Sequence, residues 1–445
     1  MLLCYFSTIL FFPMFNAQKI HMIGIGGIGM SALAKLFLLN GKRVTGSDLH
    51  ASDITRDLQN RGVIFNEGHD SAFVSIETEL VVFSPAIPES NVEYKRALEL
   101  GIPILSYVDA LGELSKQYST IVVTGTHGKS TTTAMLGLIL EAAGYDPTVI
   151  LGSFVPSFEH GNLRVGKSRF LVIEGCEHQA NILKLHPEMI VLTCIEADHL
   201  DFYKTLENIK QTFQRFVDQL ASNGIVVVNV DDSVSRELKI QNPIQYSSDS
   251  DVYKNLKLQI PGAFNRYNAT AATTAAMELG VPLETCQQTL ESFKGIWRRF
   301  ERVGKWNGCE VISDYGHHPT AIRVTLEAAR EMFPDKKIIL CFQPHQHSRT
   351  EMLFDDFVDA LSLADALVLL EIYHVEGRTE DEKVSSKNLV EKIQERSSDL
   401  PVYYAVDFLE AEQKLQLLVN EMPGAVIIIQ GAGNIDDLAR RLTKE

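Results

Sequence analysis

Residues 19–29 have the sequence Lys-Ile-His-Met-Ile-Gly-Ile-Gly-Gly-Ile-Gly, an apolar run that ends among glycines. The run predicts a strand, and the glycines fit the pattern G-x-G-x-x-G. Such a turn brings backbone N–H groups close to phosphate oxygens at the N-terminus of a helix. Gly26, Gly27 and Gly29 are therefore candidates for binding a nucleotide diphosphate.

The next strand-like run, RVTGSD, ends at Asp48, about where a dinucleotide-binding fold places the acid that binds ribose. Taken alone, the loop and this acid favour NAD and a nicotinamide-dependent oxidoreductase. The other interpretation of the loop is a tight strand-to-helix turn that binds no ligand. Residues further along the chain are needed to choose among these.

The same alternation of short apolar runs and helical patterns continues through three blocks. It predicts an α/β protein whose parallel sheets are covered by helices, arranged as three domains in series. The joints are expected near residues 112–118 and 293–298, where one block ends and the next begins. Strand-like runs in the three blocks include KIHMIGIG and LVVFSPAI, STIVVTG and MIVLTCI, and KKIILCF and AVIIIQG.

A second glycine loop opens the middle block. Residues 124–131 read Thr-Gly-Thr-His-Gly-Lys-Ser-Thr, after a strand-like run and before a helical pattern. Backbone N–H groups, a lysine and a hydroxyl at a helix N-terminus together suit a triphosphate and its Mg²⁺. Only two residues separate the glycines, whereas the ordinary P-loop has four. The candidate ATP-binding residues are Gly125, Thr126, His127, Gly128, Lys129, Ser130 and Thr131.

Composition limits the classes of protein to consider. The 445 residues are 45% hydrophobic and 22% charged, as in folded globular proteins. The formal net charge of −16 argues against a general binder of nucleic acid or of anionic membranes. The 6 cysteines are scattered without a CxxC pair, so we expect no disulfide framework or zinc ribbon and a reducing, cytoplasmic location.

The first 18 residues form a separate apolar stretch, MLLCYFSTILFFPMFNAQ. It has no basic residue ahead of its apolar part, unlike a signal peptide, and it is short for a membrane span of about 20 residues. We expect an extension at residues 1–18, or translation that starts at Met14.

Acidic and imidazole side chains follow the strands of the middle block. Glu174 ends the run RFLVIE, Glu177 lies three residues further on, and His199 follows the run MIVLTC. Ligand sites of α/β sheets lie at the carboxyl ends of strands, and carboxylate and imidazole there suit Mg²⁺ beside phosphates. Asp198 and Asp201 are expected to be solvated or to cap a helix.

The third block carries arginines and histidines after predicted strands, in the segments RRFE (298–301), SDYGHHPT (313–320) and QPHQHSRT (343–350). One interpretation is a zinc site formed by four histidines, His317, His318, His345 and His347. The spacing has no HExxH pattern and no cysteine partner, which disfavours zinc. Phosphate or carboxylate binding by the arginines is the favoured interpretation.

Together these motifs make the chain resemble the Mur ligase family over about residues 19–440. The motifs that carry the resemblance, in family order, are GIGGIGMSALA, GTHGKSTTT, EGCE, IEADHLDFY, FNRYNATAA, RRFE, SDYGHHPT and FQPHQHSRT. The resemblance implies, after the extension, a UDP-sugar-binding Rossmann-like domain at 19–115. A central P-loop-type ATP-binding domain would follow at 116–296, and a C-terminal Rossmann-like amino-acid-binding domain at 297–445.

The activity implied by the resemblance is a step of cytoplasmic peptidoglycan precursor synthesis. L-alanine would be joined to the lactyl carboxylate of UDP-N-acetylmuramate through an acyl phosphate, with ATP and Mg²⁺ as cofactors and ADP and phosphate released. The only partners expected are these small molecules. We expect no nucleic acid, no stable membrane insertion, and a monomer or homodimer.

The resemblance also implies roles for individual residues. UDP would bind at the first glycine loop, with Asp48, Ser84 and Ala86 beside it. Lys129 would bind phosphate, and Mg²⁺ would be bound by Ser130, Glu174 and His199. Further roles fall to Asn265 and Asn268 near adenine, to Arg299 and Asp314 at the nucleotide, and to Tyr315, His317 and Arg349 in the amino-acid pocket. The implied catalytic set is Lys129, Glu174, His199, Arg299 and Asp314.

Some positions depart from the family pattern. Phe264 stands where many members have histidine, Ala321 where glutamate is common, Gln346 where some have arginine, and Asn434 where aspartate is usual. Four alternatives stay open: a nicotinamide-dependent oxidoreductase, which leaves the second glycine loop unexplained, an ATP-binding switch without ligase activity, the related ligase that adds a whole tripeptide to the same sugar nucleotide, and a folate polyglutamate ligase. The last should lack the first glycine-loop domain.

Overall fold

The computed structural model describes residues 16–373 and 383–444. These residues form three mostly parallel sheets with helices around them, which confirms the predicted α/β class. The predicted extension falls largely outside the described residues. Among the described helices, none is long and apolar enough to cross a membrane.

The first sheet has five parallel strands in the order β3-β2-β1-β4-β5. The strand order reverses beside β1, which places a crevice for ligands at the carboxyl ends of β1 and β4. Its strands are β1 (Lys19–Ile23), β2 (Arg43–Asp48), β3 (Ile64–Glu67), β4 (Leu80–Phe83) and β5 (Ile104–Ser106). Its helices are α1 (Ile28–Leu39), α2 (Asp53–Asn60), α3 (Val92–Glu99) and α4 (Tyr107–Ser115), with a 3₁₀ turn at Ser71–Phe73.

The second sheet has seven strands in the order β12-β11-β10-β6-β9-β7-β8. Strand β6 lies in its centre between β10 and β9, so the second glycine loop leaves the sheet beside the end of β9. The strands are β6 (Ser119–Thr124), β7 (Thr148–Ile150), β8 (Leu163–Arg164), β9 (Phe170–Gly175), β10 (Met189–Leu192), β11 (Ile225–Asn229) and β12 (Ile244–Tyr246).

The helices of this middle region vary in length. They are α5 (Lys129–Ala142), α6 (Leu200–Tyr203), α7 (Leu206–Val217), α8 (Ser233–Arg236), α9 (Asp251–Asn255), α10 (Ala263–Glu278) and α11 (Leu283–Glu291), with a kinked 3₁₀ segment at His178–Lys184. Helices α5 and α10 present buried threonines and alanines along much of their length, which lets neighbouring backbone pack closely.

The third sheet has six strands in the order β13-β14-β18-β15-β16-β17, and only β13 is antiparallel to its neighbour. The strands are β13 (Glu301–Trp306), β14 (Cys309–Asp314), β15 (Ile338–Phe342), β16 (Ala366–Leu370), β17 (Val402–Ala405) and β18 (Val426–Gln430). The helices are α12 (Pro319–Met332), α13 (His347–Met352), α14 (Phe354–Leu361), α15 (Ser386–Arg396), α16 (Phe408–Glu421) and α17 (Asp436–Thr443).

Both faces of the third sheet are covered, which explains why its strands are almost continuously apolar. Leu340 and Phe342 point into one core cluster, and Ile339 and Cys341 point into the cluster on the other face. All four are fully buried. The alternation of successive side chains therefore fills two cores from one strand.

The chain divides into two compact units. Of the described residues, the first unit holds 16–193, 210–229 and 233–245, and the second holds 194–209, 230–232 and 246–444 with the gap at 374–382. The first unit contains the whole first sheet and most of the second, and the second unit contains the third sheet with α10 and α11. The domain boundaries expected at 115/116 and 296/297 stay a prediction.

Within the first unit, buried polar contacts join α1 to the segment before β8. The Asn162 side-chain amide donates to the carbonyl of Ile28 and to Ser31 Oγ, and its oxygen accepts from Lys35 Nζ. Asn162 is fully buried, and burial lowers the pKa of Lys35, whose charge is offset by Asp57. The helix that begins at the first glycine loop is thus fixed to the middle region.

Candidate functional site

Asp48, one of the predicted site residues, accepts a hydrogen bond from the first glycine loop. The backbone N–H of Gly26 donates to Asp48 Oδ2 at 2.8 Å, and a Cβ on Gly26 would lie at 2.8 Å from the same oxygen. Only glycine fits this approach. Ser84 also borders the loop, because a Cβ on Gly24 would lie 2.9 Å from the Cβ of Ser84. The structure therefore brings the loop, Asp48 and Ser84 together at the ends of β1, β2 and β4.

Ala86 and Gly29 complete this neighbourhood. The N–H of Ala86 donates to Ser84 Oγ at 3.4 Å, which turns the chain after β4. A Cβ on Gly29 would come within 2.6 Å of the Tyr107 ring, so glycine is needed where α1 passes α4. These contacts fix the shape of the loop that leads into α1, and the first N–H groups of a helix, which have no partner within the helix, suit an anion.

The second glycine loop begins α5 with a residue in the left-handed region. Gly128 is the N-cap of that helix at φ 82°, a conformation that other residues rarely adopt. Thr193, after the neighbouring strand β10, donates its hydroxyl to the carbonyl of His127 at 2.6 Å and holds the loop from that side. The first N–H groups of α5 have no partner within their own helix, which makes this end a binding place for phosphate.

Lys129 lies folded into this loop. Its Nζ donates to the carbonyl oxygens of Gly125 and Thr126 at 2.6 and 3.0 Å and lies 2.9 Å from Glu177 Oε2. Burial by itself lowers the pKa of Lys129, but the carboxylates of Glu177 and Glu174 outweigh burial and raise it. The lysine therefore stays charged and can exchange these oxygens for those of a phosphate. Glu177 is buried, and its pairing with Lys129 was not predicted from the sequence.

Ser130 and Glu174 form a second pair beside the lysine. Ser130 Oγ donates to Glu174 Oε1 at 3.0 Å, and the N–H of Gly152 donates to Glu174 Oε2 at 2.8 Å. The register of β6 and β9 produces this pairing, because it places Glu174 opposite Val123, just before the loop. A hydroxyl and a carboxylate held together at a helix N-terminus are oxygen ligands of the kind that Mg²⁺ prefers.

His199, the third predicted metal ligand, belongs to the second unit. It is the N-cap of the short helix α6 at φ 52°, and its N–H donates to Asp198 Oδ1 at 2.7 Å. A positive φ for a histidine is uncommon and costs about 1 kcal/mol or more. The hydrogen bond to Asp198 helps to hold this conformation.

Asp198 is not solvated, and that part of the expectation for it is wrong. It is 7% exposed, and its Oδ1 accepts from Nε and Nη2 of Arg349 at 3.2 and 3.1 Å. The guanidinium overcomes the effect of burial and holds the pKa of Asp198 far below its usual range. The sequence gives no signal for this pair, since its members lie 151 residues apart. Asp201 is exposed in the first turn of α6, as expected.

Asp314, predicted to reach the nucleotide, is buried and accepts several hydrogen bonds. Its Oδ2 accepts from the N–H of Phe300, and its Oδ1 accepts from the N–H of Gly316 and from Gln430 Nε2 at 2.7 and 3.0 Å. These contacts tie together the ends of β14 and β18 and the segment before β13. In this structure Asp314 therefore organises two segments, the one before β13 that carries Arg299 and the one after β14 that carries Tyr315.

Aromatic rings surround the predicted amino-acid pocket. The Arg299 guanidinium lies over the Tyr315 ring at 4.8 Å, and the rings of Tyr315 and His317 meet edge to face at 5.5 Å. His345 lies 6.0 Å from His317 and stacks on Tyr373. Burial and then Arg349 lower the pKa of His317 well below its usual value, so this imidazole is neutral.

The four histidines of the zinc alternative have separate partners. His318 Nδ1 accepts from the N–H of Thr320 and caps α12, and His347 Nδ1 lies 2.9 Å from the carbonyl of Val384. His317 and His345 face each other but stand 6.0 Å apart by ring centroid. This arrangement does not support a zinc site made by the four.

Asn265 and Asn268, predicted near adenine, are both buried on α10. Asn265 Nδ2 donates to the carbonyl of Pro261 one turn earlier. Phe264, which replaces the common histidine, packs against the core of the third sheet beside α12. The aromatic ring has thus become part of the packing between α10 and α12.

Models of one family match the chain in three consecutive parts. Residues 19–119 match the model described as Mur ligase family, catalytic domain; residues 123–250 match the Mur ligase middle domain; and residues 298–433 match the Mur ligase, glutamate ligase domain. The chain belongs to the Mur ligase family. The resemblance carried by the glycine loops and by the segments after the strands is therefore confirmed.

Similar Mur ligases cover nearly the whole chain. The UDP-N-acetylmuramate--L-alanine ligase of Caldanaerobacter subterraneus subsp. tengcongensis is 39% identical over 96% of this chain and 98% of its own. The protein of the same name from Dictyoglomus turgidum is 38% identical over 95% and 96%. The crystal structure of UDP-N-acetylmuramate-alanine ligase from Thermotoga maritima superposes with a TM-score of 0.81 at 28% identity, over 95% of this chain and 98% of that one.

Proposed function

We propose that this Mur ligase joins L-alanine to the lactyl carboxylate of UDP-N-acetylmuramate and converts ATP to ADP and phosphate. The observation that carries the proposal is the charged, partly buried Lys129 at the start of α5, next to the Ser130–Glu174 pair and in the same compact unit as a second nucleotide-type loop. Relatives that carry the name of this activity are 36–39% identical over nearly the full chain, which supports it.

In the first step, an oxygen of the substrate carboxylate attacks the γ-phosphorus of ATP, and ADP leaves. Two anions must approach each other, so positive charge at the phosphate lowers the barrier. Lys129 supplies that charge when it turns from Glu177 to the phosphate oxygens. The N–H groups at the start of α5 donate to the remaining oxygens.

Mg²⁺ fits the residues beside Lys129. Ser130 and Glu174 would hold it, because their oxygens already lie together and Mg²⁺ needs only one or two protein ligands beside phosphates and water. When bound, it supplies positive charge that stabilises the transferring phosphoryl group. His199 remains a proposed third ligand on the strength of the family resemblance.

In the second step, the amine of L-alanine attacks the carbonyl carbon of the acyl phosphate. The C–N bond forms, phosphate leaves, and the amine loses a proton to the solvent. Arg349 and His317 are proposed to hold the amino acid: a buried guanidinium suits its carboxylate, and a neutral imidazole adds no further charge.

Four other residues keep their proposed roles around the nucleotide: Asn265, Asn268, Arg299 and Asp314. A cytoplasmic location also stays a prediction.

The proposed function is tested by offering purified protein ATP, Mg²⁺ and UDP-N-acetylmuramate with each amino acid in turn. We expect ADP formation that depends on both UDP-N-acetylmuramate and L-alanine. The tripeptide L-Ala-γ-D-Glu-meso-diaminopimelate is a further acceptor in the same assay. Preference for the tripeptide would indicate the related ligase, and ADP formation without any acceptor would indicate a nucleotide switch.

Glu174→Gln is expected to weaken the requirement for Mg²⁺ without unfolding the protein. The amide keeps the size of the side chain but removes the charge that holds the cation. The Mg²⁺ concentration at half-saturation should therefore rise by about tenfold or more. Titrating ADP formation with Mg²⁺ measures this. The matched control is Glu159→Gln, an exposed residue of the same unit. An unchanged Mg²⁺ dependence in Glu174→Gln would remove Glu174 from the proposed site.

A further inference from the structure

The Arg349 guanidinium has five N–H donors, and the structure accounts for three of them. Nε and one N–H of Nη2 donate to Asp198 Oδ1, and one N–H of Nη1 donates to the carbonyl of His345 at 3.1 Å. Among the described residues, no further hydrogen bond of Arg349 is found. One N–H on Nη1 and one on Nη2 therefore remain.

These two N–H groups are suited to one kind of ligand. Terminal N–H groups on the two Nη atoms form an edge that matches the two oxygens of a carboxylate. Arg349 is 6% exposed, so water competes weakly for them. Asp198, Arg349, Met352 and Leu353 line a small cleft in the second unit, so this ion pair borders a concave surface.

Asp198 determines which edge of the guanidinium is offered. An arginine side chain rotates about several bonds, and holding it in one orientation has an entropic cost. The two hydrogen bonds to Asp198 on one edge and the bond to His345 together fix the plane and the direction of the group. Because Asp198 is itself buried and its Oδ1 also accepts from the N–H of His199, its position is fixed by the start of α6.

We propose that Asp198 is a positioning residue that orients Arg349, so that the free edge of the guanidinium binds the carboxylate of the incoming amino acid. The inference rests on the proposed function, in which Arg349 binds L-alanine. Asp198 touches neither substrate: it occupies the side of the arginine that would otherwise bind the carboxylate in a second, unproductive way. A carboxylate is needed for this, because its charge keeps the pair together without water.

The first test is Asp198→Asn, which preserves the size of the side chain. We expect KM for L-alanine to rise by about tenfold or more, and KM for ATP and for UDP-N-acetylmuramate to stay within about twofold. The preference in kcat/KM for L-alanine over L-alaninamide, which lacks the carboxylate, should fall by about the same factor. General damage to the fold would not change that preference. The control is Asp399→Asn, the same substitution at an exposed position of the same unit.

A double variant tests whether Asp198 acts through Arg349. Lysine has no planar fork to orient, so adding Asp198→Asn to Arg349→Lys should raise KM for L-alanine by less than about twofold more. If the double variant raised KM for L-alanine by the product of the two single-variant factors, the proposal would be overturned. An Asp198→Asn variant whose preference for L-alanine over L-alaninamide is unchanged would also overturn the proposal. So would a variant in which only KM for ATP rises, because that result would indicate that Asp198 acts through His199.

Two further outcomes are separable. If Asp198→Asn does not fold, Asp198→Glu is used instead, because it keeps the charge. It is expected to retain more of the preference for L-alanine over L-alaninamide than Arg349→Lys does. A smaller preference in Asp198→Glu than in Arg349→Lys would contradict the proposal. If the wild-type protein forms no ADP with L-alanine and UDP-N-acetylmuramate, the proposed function itself fails. A wild-type enzyme that is active and an unaffected Asp198→Asn variant would refute only the role of Asp198.

Discussion

Replacing Lys129 by alanine is expected to lower the rate of ADP formation by about 10²–10³-fold, which corresponds to about 3–4 kcal/mol of transition-state stabilisation. The ammonium lies at the N-terminus of α5, held by the carbonyl of Gly125 and by Glu177, and alanine supplies no positive charge to the phosphate there. A steady-state assay with saturating ATP, Mg²⁺, UDP-N-acetylmuramate and L-alanine measures the loss. Near-normal ADP formation would contradict the assigned role.

The same substitution has a second effect that must be separated from the first. Without Lys129, the buried carboxylate of Glu177 loses its ion pair with that lysine, so the protein should also become less stable. Adding Glu177→Gln to Lys129→Ala should restore much of the thermal stability and none of the activity. Lys95→Ala, at an exposed position of the same unit, is the matched control for both measurements.

The second large effect is expected in the first sheet, in a buried network that includes Ser47, the residue before Asp48. Glu93 on α3 is fully buried and accepts from three side chains. Its Oε2 lies 2.6 Å from His21 Nε2 and 2.8 Å from Ser47 Oγ, and its Oε1 lies 2.7 Å from His69 Nδ1. Glu93→Ala leaves these groups buried without their acceptor and should lower the free energy of unfolding by about 3–5 kcal/mol. Urea denaturation followed by circular dichroism checks this.

The contribution of Glu93 should depend on pH in a defined direction. Burial raises the pKa of this carboxyl, but the hydrogen bonds and charge of its partners, His21 first, outweigh burial and lower it in the folded protein. A carboxyl with a lowered folded pKa stabilises the protein above its unfolded pKa of about 4.3, and this stabilisation is lost as the pH falls through the folded value. The gap in urea midpoint between wild type and Glu93→Ala should therefore shrink below about pH 4.

A control on the same helix makes the result specific. Glu99 is exposed and pairs with Arg96 on the surface, so Glu99→Ala should change the stability by less than about 1 kcal/mol. If Glu93→Ala were no more destabilising than Glu99→Ala, the buried network would not contribute to stability as argued. A gap that stayed constant down to pH 3 would contradict the charged state of Glu93.

The predicted strands and glycine loops were confirmed where local sequence is enough to specify them. The run before Gly24 and the run before Gly125 are apolar because both strands are covered, and Gly128 is a glycine because the start of α5 needs a positive φ. The pairing of Ser130 with Glu174 follows once β6 and β9 are neighbours. The strand order itself, which makes them neighbours, is a property of the whole sheet.

Several site features depended on contacts between distant parts of the chain. Asp198 was expected to be solvated or to cap a helix, yet it pairs with Arg349 across 151 positions. Asp314 keeps its proposed role at the nucleotide, but the sequence did not indicate that its oxygens accept from backbone and side-chain donors around the end of β14. Glu177 was noted only for its spacing from Glu174, and its pairing with Lys129 needs the turn after β9.

Short-range chemistry in the chain was sufficient for the α/β class, the two glycine loops, their lysine and hydroxyl, and membership of the Mur ligase family. All of these rest on residue types at fixed spacings of a few positions, which steric limits and backbone hydrogen bonding translate directly into local geometry. The ion pairs Lys129–Glu177 and Asp198–Arg349 and the buried Glu93 network arose only on folding. Charges are brought together and removed from water by packing, and packing depends on every element of the fold at once.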